Sequence, residues 1–164
     1  MLFRDISRIK IINRRAQWAF TLLELLIAMA IAAALAAIAV PAYQKYMERL
    51  KVNQAVAEIS SLSLDLEHYY GGQFTYPATL SGLGKTIPLD PWGHAYKYVP
   101  IDVTPRPSVG KILKDKSLHP VNSDFDLYSL GPDGRSSTQL SAGVSQDNII
   151  RAGNGSYIGQ ASGY

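Results

Sequence analysis

Across residues 20–43 nearly every position is apolar, whichever side of a helix it would occupy, and one charge, Glu24, interrupts the run. At about 1.5 Å rise per residue the run makes a helix of roughly 35 Å, long enough to cross a hydrocarbon core of about 30 Å. Beyond Tyr43 the pattern becomes one-sided. Val52, Ala55, Val56, Ile59, Leu62, Leu66 and Tyr70 recur at three- and four-residue steps, while Lys45, Glu48, Arg49, Lys51, Asn53, Glu58 and Glu67 take the other positions. The pattern predicts one helix over residues 20–71, with 20–43 as a membrane-length core and the remainder as a stem with one apolar face. Gly71-Gly72 is the expected stop, since glycine just past the last periodic residue accepts the left-handed cap conformation. A helix of roughly 75 Å in so short a chain needs neighbours along both halves.

Residues 72–164 read as a β-rich head. Asp90-Pro91-Trp92-Gly93 places proline and glycine where a turn favours them, and Ala95-Tyr96-Lys97-Tyr98-Val99 then alternates as a strand does. A second alternating stretch, residues 124–130, runs into Gly131-Pro132-Asp133-Gly134, and Asp147-Asn148-Ile149-Ile150 returns to strand-like residues. Residues 101–122 hold Pro105, Pro107 and Pro120 with Lys111, Lys114 and Lys116, and read as an insertion exposed at the surface. Those lysines suit either a solvated loop or an anionic partner. Residues 135–146 form a Ser/Thr/Gly-rich loop, and a Gly-rich tail with Tyr157 and Ile158 ends the chain. The fold class expected is α+β: a long N-terminal helix packed on a small antiparallel sheet.

Two residues in the long helix are costly. Glu24 costs a few kcal/mol in a spanning helix unless it reaches the headgroups or finds a partner. Pro41 removes one backbone hydrogen bond and crowds the carbonyl of Ala37, which costs roughly 3 kcal/mol or bends the helix.

The 164 residues contain no cysteine, so no disulfide can close the head. A formal charge of +3 invites a nucleic-acid reading, but five of the sixteen basic residues and one of the thirteen acids precede Phe20. That leaves eleven basic residues against twelve acids, and no nucleic-acid partner is expected. His68, His94 and His119 show no metal-ligand spacing, no nucleophile motif stands beside them, and no catalytic activity is expected.

Arg4, Arg8, Lys10, Arg14 and Arg15 form a basic leader that stops at Trp18-Ala19, just before the apolar run. In an ordinary secretory signal the small residue comes after the apolar run; here it precedes it. An amphipathic surface helix through Ile6, Ile9, Ile11 and Ile12 is the alternative. Ala19, then Phe20-Thr21-Leu22-Leu23-Glu24, then an Ala/Ile/Leu helix reaching Pro41-Ala42-Tyr43, resembles the class III signal of type IV pilins and type II secretion pseudopilins. Glu24 and Pro41 keep the family's spacing from the first mature residue. Ala19 departs from the family's glycine, and Ala33 from a glycine common there.

The resemblance implies a lollipop-shaped, type IV pilin-like subunit. Prepilin peptidase would remove residues 1–19, cutting between Ala19 and Phe20, and N-methylate Phe20. The mature chain would sit in the inner membrane by a single pass with its head in the periplasm. There it would polymerise with itself, with minor pseudopilins and an inner-membrane assembly platform as partners. Phe20, Glu24 and Pro41 are the implied assembly residues, with Glu24 facing the α-amine of Phe20 on a neighbouring subunit. The Asp90-Pro91-Trp92-Gly93 turn, the strand after it and the missing cysteines resemble the major pseudopilins more than type IVa pilins. The leading expectation is therefore a pseudopilus subunit of type II secretion, with a type IV pilin for adhesion, twitching or DNA uptake as the alternative. A membrane-anchored periplasmic binding protein that never polymerises is a third. The resemblance also implies a calcium site in the loop after Leu130, with the Leu130 carbonyl, Asp133, Asp147 and Asn148 as ligands. The family usually carries Asp-Ala-Asp-Ile where this chain has Gln146-Asp147-Asn148-Ile149, which removes a carboxylate.

Overall fold

The computed structural model describes residues 20–117 and 119–164. The expected leader, with Ala19, lies outside the described residues. The chain divides after Ala42 into two compact units. In the first, the described residues 20–42 are exposed throughout: Leu22, Leu35 and Ile38 keep 78%, 65% and 73% of their surface. This helical segment is long and apolar enough to cross a membrane.

Helix α1 runs Leu22–Gln73 and contains Pro41. It starts at Thr21 because Thr21 and Glu24 satisfy each other's backbone donors, and the alanine-rich sequence beyond them favours helix. Its end differs from the expectation. Gly71 and Gly72 stay helical, and Phe74 takes the left-handed conformation at φ 53°, its N–H donating to the Tyr70 carbonyl at 2.8 Å. A tertiary contact sets the stop. Tyr76 stacks on Tyr70 at 4.6 Å, meets the Phe125 ring edge-on at 5.0 Å, and donates its hydroxyl to Glu67. Docking Tyr76 requires the chain to reverse there, and Phe74 bears the strain.

The second unit holds the core. Ala55, Ile59, Leu62 and Leu66 of α1, spaced at three and four residues, pack on Tyr76, Leu80, Tyr96, Phe125, Leu127 and Ile149. The sheet has strands β1 Lys97–Pro100, β2 Phe125–Ser129, β3 Ile149–Ala152 and β4 Tyr157–Gln160, all antiparallel neighbours in sequence order. Because side chains alternate along a strand, Ile149 enters the helix-facing core while Ile150 enters a second cluster with Leu113, Val121, Leu140, Ala152 and Ala161. The region expected as an exposed insertion is thus partly core: Ile101, Ile112, Leu113 and Val121 are buried. Strand β4, which in the sequence reads only as a glycine-rich tail, pairs with β3 through a turn in which Gly153 and Asn154 both take positive φ.

Acids on and beside the packed face of α1 meet aromatic donors of the head. Trp92 Nε1 donates to Glu48 Oε1 at 2.7 Å, Tyr96 Oη to Glu58 Oε2 at 2.5 Å, and Tyr76 Oη to Glu67 Oε2 at 3.2 Å. Burial, with the neighbouring acids, pushes the phenols of Tyr76 and Tyr96 well above their ordinary range, so both remain donors.

Arg151 closes the head where a disulfide is absent. Its side chain is 3% exposed, takes Asp124 bidentately at 2.9 and 2.6 Å, donates to the Phe125 carbonyl and lies 3.5 Å from Glu67. The guanidinium also covers the Phe125 ring at 4.0 Å, so one side chain joins β3, β2 and α1.

Candidate functional site

Two places carry the residues of interest, one in each unit. At the start of α1, the Thr21 N–H and Oγ1 each donate to Glu24 Oε2 at 3.0 Å, and the Glu24 N–H donates to Thr21 Oγ1 at 3.2 Å. This is a reciprocal capping box. It gives Glu24 hydrogen-bond partners in its own chain, which sequence reasoning overlooked although Thr-x-x-Glu was its signal. Phe20, 86% exposed, stands beside it. Pro41 lies inside α1 and has no N–H to give the Ala37 carbonyl.

The second place is the loop between β2 and β3. Gly131 and Gly134 both adopt positive φ, 67° and 66°, and turn the chain sharply after Ser129. The turn brings Asp133 beside Asp147 and the Leu130 carbonyl beside the Asn148 amide. Gly131 approaches so closely that a Cβ there would fall 2.5 Å from the Asp147 carbonyl oxygen, and the Asp133 N–H donates to Asp147 Oδ2 at 3.3 Å. Asn148 is fully buried. One end of its amide is 2.6 Å from Ser136 Oγ; the other is 3.1 Å from the Leu130 carbonyl oxygen and 3.2 Å from that of Arg135. With the nitrogen toward the carbonyls, the amide donates to both. That orientation satisfies both ends of the amide, its oxygen accepting from Ser136 Oγ; the reverse would set the amide oxygen beside the two carbonyl oxygens, which only a cation between them would balance.

Sequence reasoning missed the Arg135 carbonyl and the Ser136 hydroxyl, which have no side-chain signature of a ligand. Among the described residues no group of three His, Cys, Asp or Glu side chains is placed to hold a metal, so a cation here needs the amide and backbone oxygens. The amide and the two carbonyls, with the carboxylates of Asp133 and Asp147 on the same loop, are oxygen donors of the kind that calcium takes. Of the histidines, His68 and His119 are exposed, while His94 rests against Gly134 of this loop.

Residues 14–40 match the family described as the prokaryotic N-terminal methylation motif. The type II secretion system core protein G of Pseudomonas aeruginosa is 30% identical over 145 residues, covering 75% of this chain and 89% of that one. The chain belongs to this family of major pseudopilins. Core protein G of Vibrio cholerae is 30% identical over 141 residues, covering 74% of this pseudopilin and 84% of its relative. The Dickeya chrysanthemi protein of the same name is 28% identical over 145 residues, covering 76% and 83%. A fimbrial protein of Pseudomonas aeruginosa is 51% identical, but over 53 residues, 32% of this chain and 34% of that one. The pilin likeness is thus confined to about a third of each chain, whereas the pseudopilin likeness takes in most of it. No solved structure matches the chain. As a pseudopilin, the chain is a structural subunit, part of a pseudopilus with other components of the secretion system.

Proposed function

We propose that the chain is processed between Ala19 and Phe20, N-methylated at Phe20, held in the inner membrane by residues 20–43 with its head in the periplasm, and polymerised there into a filament that drives protein export. The observation that carries this reading is the exposure of the apolar segment, which stays uncovered among the described residues and has Glu24 as its one charge. Such a surface needs lipid before assembly and sister helices after it. Prepilin peptidase, the inner-membrane platform and minor pseudopilins are the partners that the family match supports.

In the filament core, Glu24 exchanges its hydrogen bonds from Thr21 to the α-amine of Phe20 on a neighbour. Leaving one member of a buried pair alone costs roughly 3 to 5 kcal/mol, so the pair fixes axial register. The alanine-rich turns from Ala33 to Pro41 loosen as subunits pack, where Pro41 has already removed one hydrogen bond. Glu24→Ala is expected to be processed and inserted but to give few filaments; a normal filament yield overturns the pairing.

The head also holds calcium in this reading. The Leu130 and Arg135 carbonyls, the carboxylates of Asp133 and Asp147 and the amide oxygen of Asn148 would hold it, and when bound it supplies a charge that crosslinks the two limbs of the loop. Adding calcium to EGTA-treated protein is expected to raise the melting temperature, and Asp133→Asn to remove that rise. An unchanged midpoint contradicts the site.

A further inference from the structure

The turn before β1 reaches across to the loop after β2. Asp90, whose side chain is fully buried, accepts from the Trp92 and His94 N–H groups through Oδ1 at 3.1 and 2.7 Å. Its Oδ2 accepts from Ser129 Oγ at 2.5 Å, and Ser129 Oγ in turn accepts from the Gly131 N–H at 3.0 Å. Thus one carboxylate shapes its own turn with one oxygen and, with the other, fixes the hydroxyl that orients the first peptide of the Gly131 turn. His94 supports the loop from the opposite end, because a Cβ at Gly134 would fall 2.7 Å from its Nε2. Gly131 and Gly134 are the two left-handed positions of the loop, so the turn grips both of its corners. The residue between Asp90 and His94 that faces away, Trp92, is bonded to Glu48 of α1 at 2.7 Å.

We propose that Asp90, Ser129 and His94 are positioning residues of the loop at residues 130–135, and that Trp92 ties this brace to α1 at Glu48. The brace acts by setting the direction of the Leu130 and Arg135 carbonyls, which lie just outside the two glycines. Shape in the loop and the position of the Trp92 indole are then two ends of one linkage, running from the sheet to the helix.

The linkage is tested by amide hydrogen exchange in EGTA, without calcium. Ser129→Ala, which removes the hydroxyl between Asp90 and the Gly131 N–H, is expected to speed exchange across residues 131–135 about tenfold, the worth of one hydrogen bond, and His94→Ala, which removes the ring packed on Gly134, to speed it in the same direction, while amides of β3 and α1 keep their rates. Trp92→Phe, which removes only the indole N–H bond to Glu48, is expected to speed the same amides. Loop exchange unchanged in both His94→Ala and Trp92→Phe overturns the proposal, even if Ser129→Ala unfolds. Calcium titration by calorimetry supplies the second readout, which alone rests on the calcium reading above. There the brace variants weaken binding about tenfold, whereas Asp133→Asn abolishes binding without changing exchange at Gly131. If the unaltered protein gives no heat with calcium, the calcium reading fails, and the exchange result still decides the brace.

Discussion

Asp126 is the titratable group whose burial matters most for the head. It is fully buried, and desolvation pushes its carboxyl up to about 6 although Asn122 Nδ2 and the Leu113 N–H both donate to it. Since the folded value lies above the unfolded one of about 3.8, the native state binds the proton more tightly. Its contribution is present in full below pH ~4 and is lost as pH rises through ~6, by at most about 3 kcal/mol. Asp126→Asn is therefore expected to flatten the stability profile between pH 4 and 6.5 in denaturant unfolding. A profile that stays steep there places the titration elsewhere. Arg151 stands in the opposite situation: it is a buried charge with its partners in place. Arg151→Ala is expected to cost about 3 to 5 kcal/mol, because Asp124 is left half-buried without its fork, and Arg151→Lys restores only part. Neither residue announces itself in the sequence, where Asp126 is one position of an alternating strand and Arg151 belongs to no motif. Their importance comes from contacts across the sheet that no local pattern encodes.

Helix α1 is legible because its apolar period is long and regular, and Ala55, Ile59, Leu62 and Leu66 are buried on the face that the spacing picks out. Ile59→Ala is accordingly expected to lose about 2 to 5 kcal/mol, and Leu64→Ala, exposed on the opposite face, less than about 0.5 kcal/mol. Equal losses in thermal unfolding contradict the packing. The end of the helix lies beyond the expected stop because Gly71-Gly72 is a local signal, whereas the docking of Tyr76 on Tyr70 and Phe125 is a tertiary one. Three strands lie within a few residues of their expected places, and β4 escapes the pattern because glycines at 153, 155 and 159 mask its alternation. The region 101–122 reads as surface because its prolines and lysines dominate its composition; Leu113 and Val121, buried across the second face of the sheet, are few but decisive. In the candidate calcium loop, Asp133 lies beside Asp147 and Leu130 beside Asn148. The oxygen of Arg135 and the support from Asp90, Ser129 and His94 are invisible in the sequence, since backbone carbonyls carry no mark there and Asp90 and His94 stand about forty residues upstream.

Across the described residues, the two units differ in how much of their apolar surface they bury. The head has its own core, and aromatic–acid bonds and Arg151 tie its sheet to α1. The apolar segment is unfinished alone, and its exposed surface is the reason to expect assembly. In the proposed function, a Glu24 carboxylate bonded to its own Thr21 would enter the membrane without a bare charge and would change partners on assembly. The most direct measurement is cryo-EM of the filament formed by the mature protein. The Phe20 amine of one subunit is expected within hydrogen-bond distance of the Glu24 carboxylate of the next. Filaments in which every Glu24 still bonds its own Thr21, with no neighbouring amine near it, contradict the account.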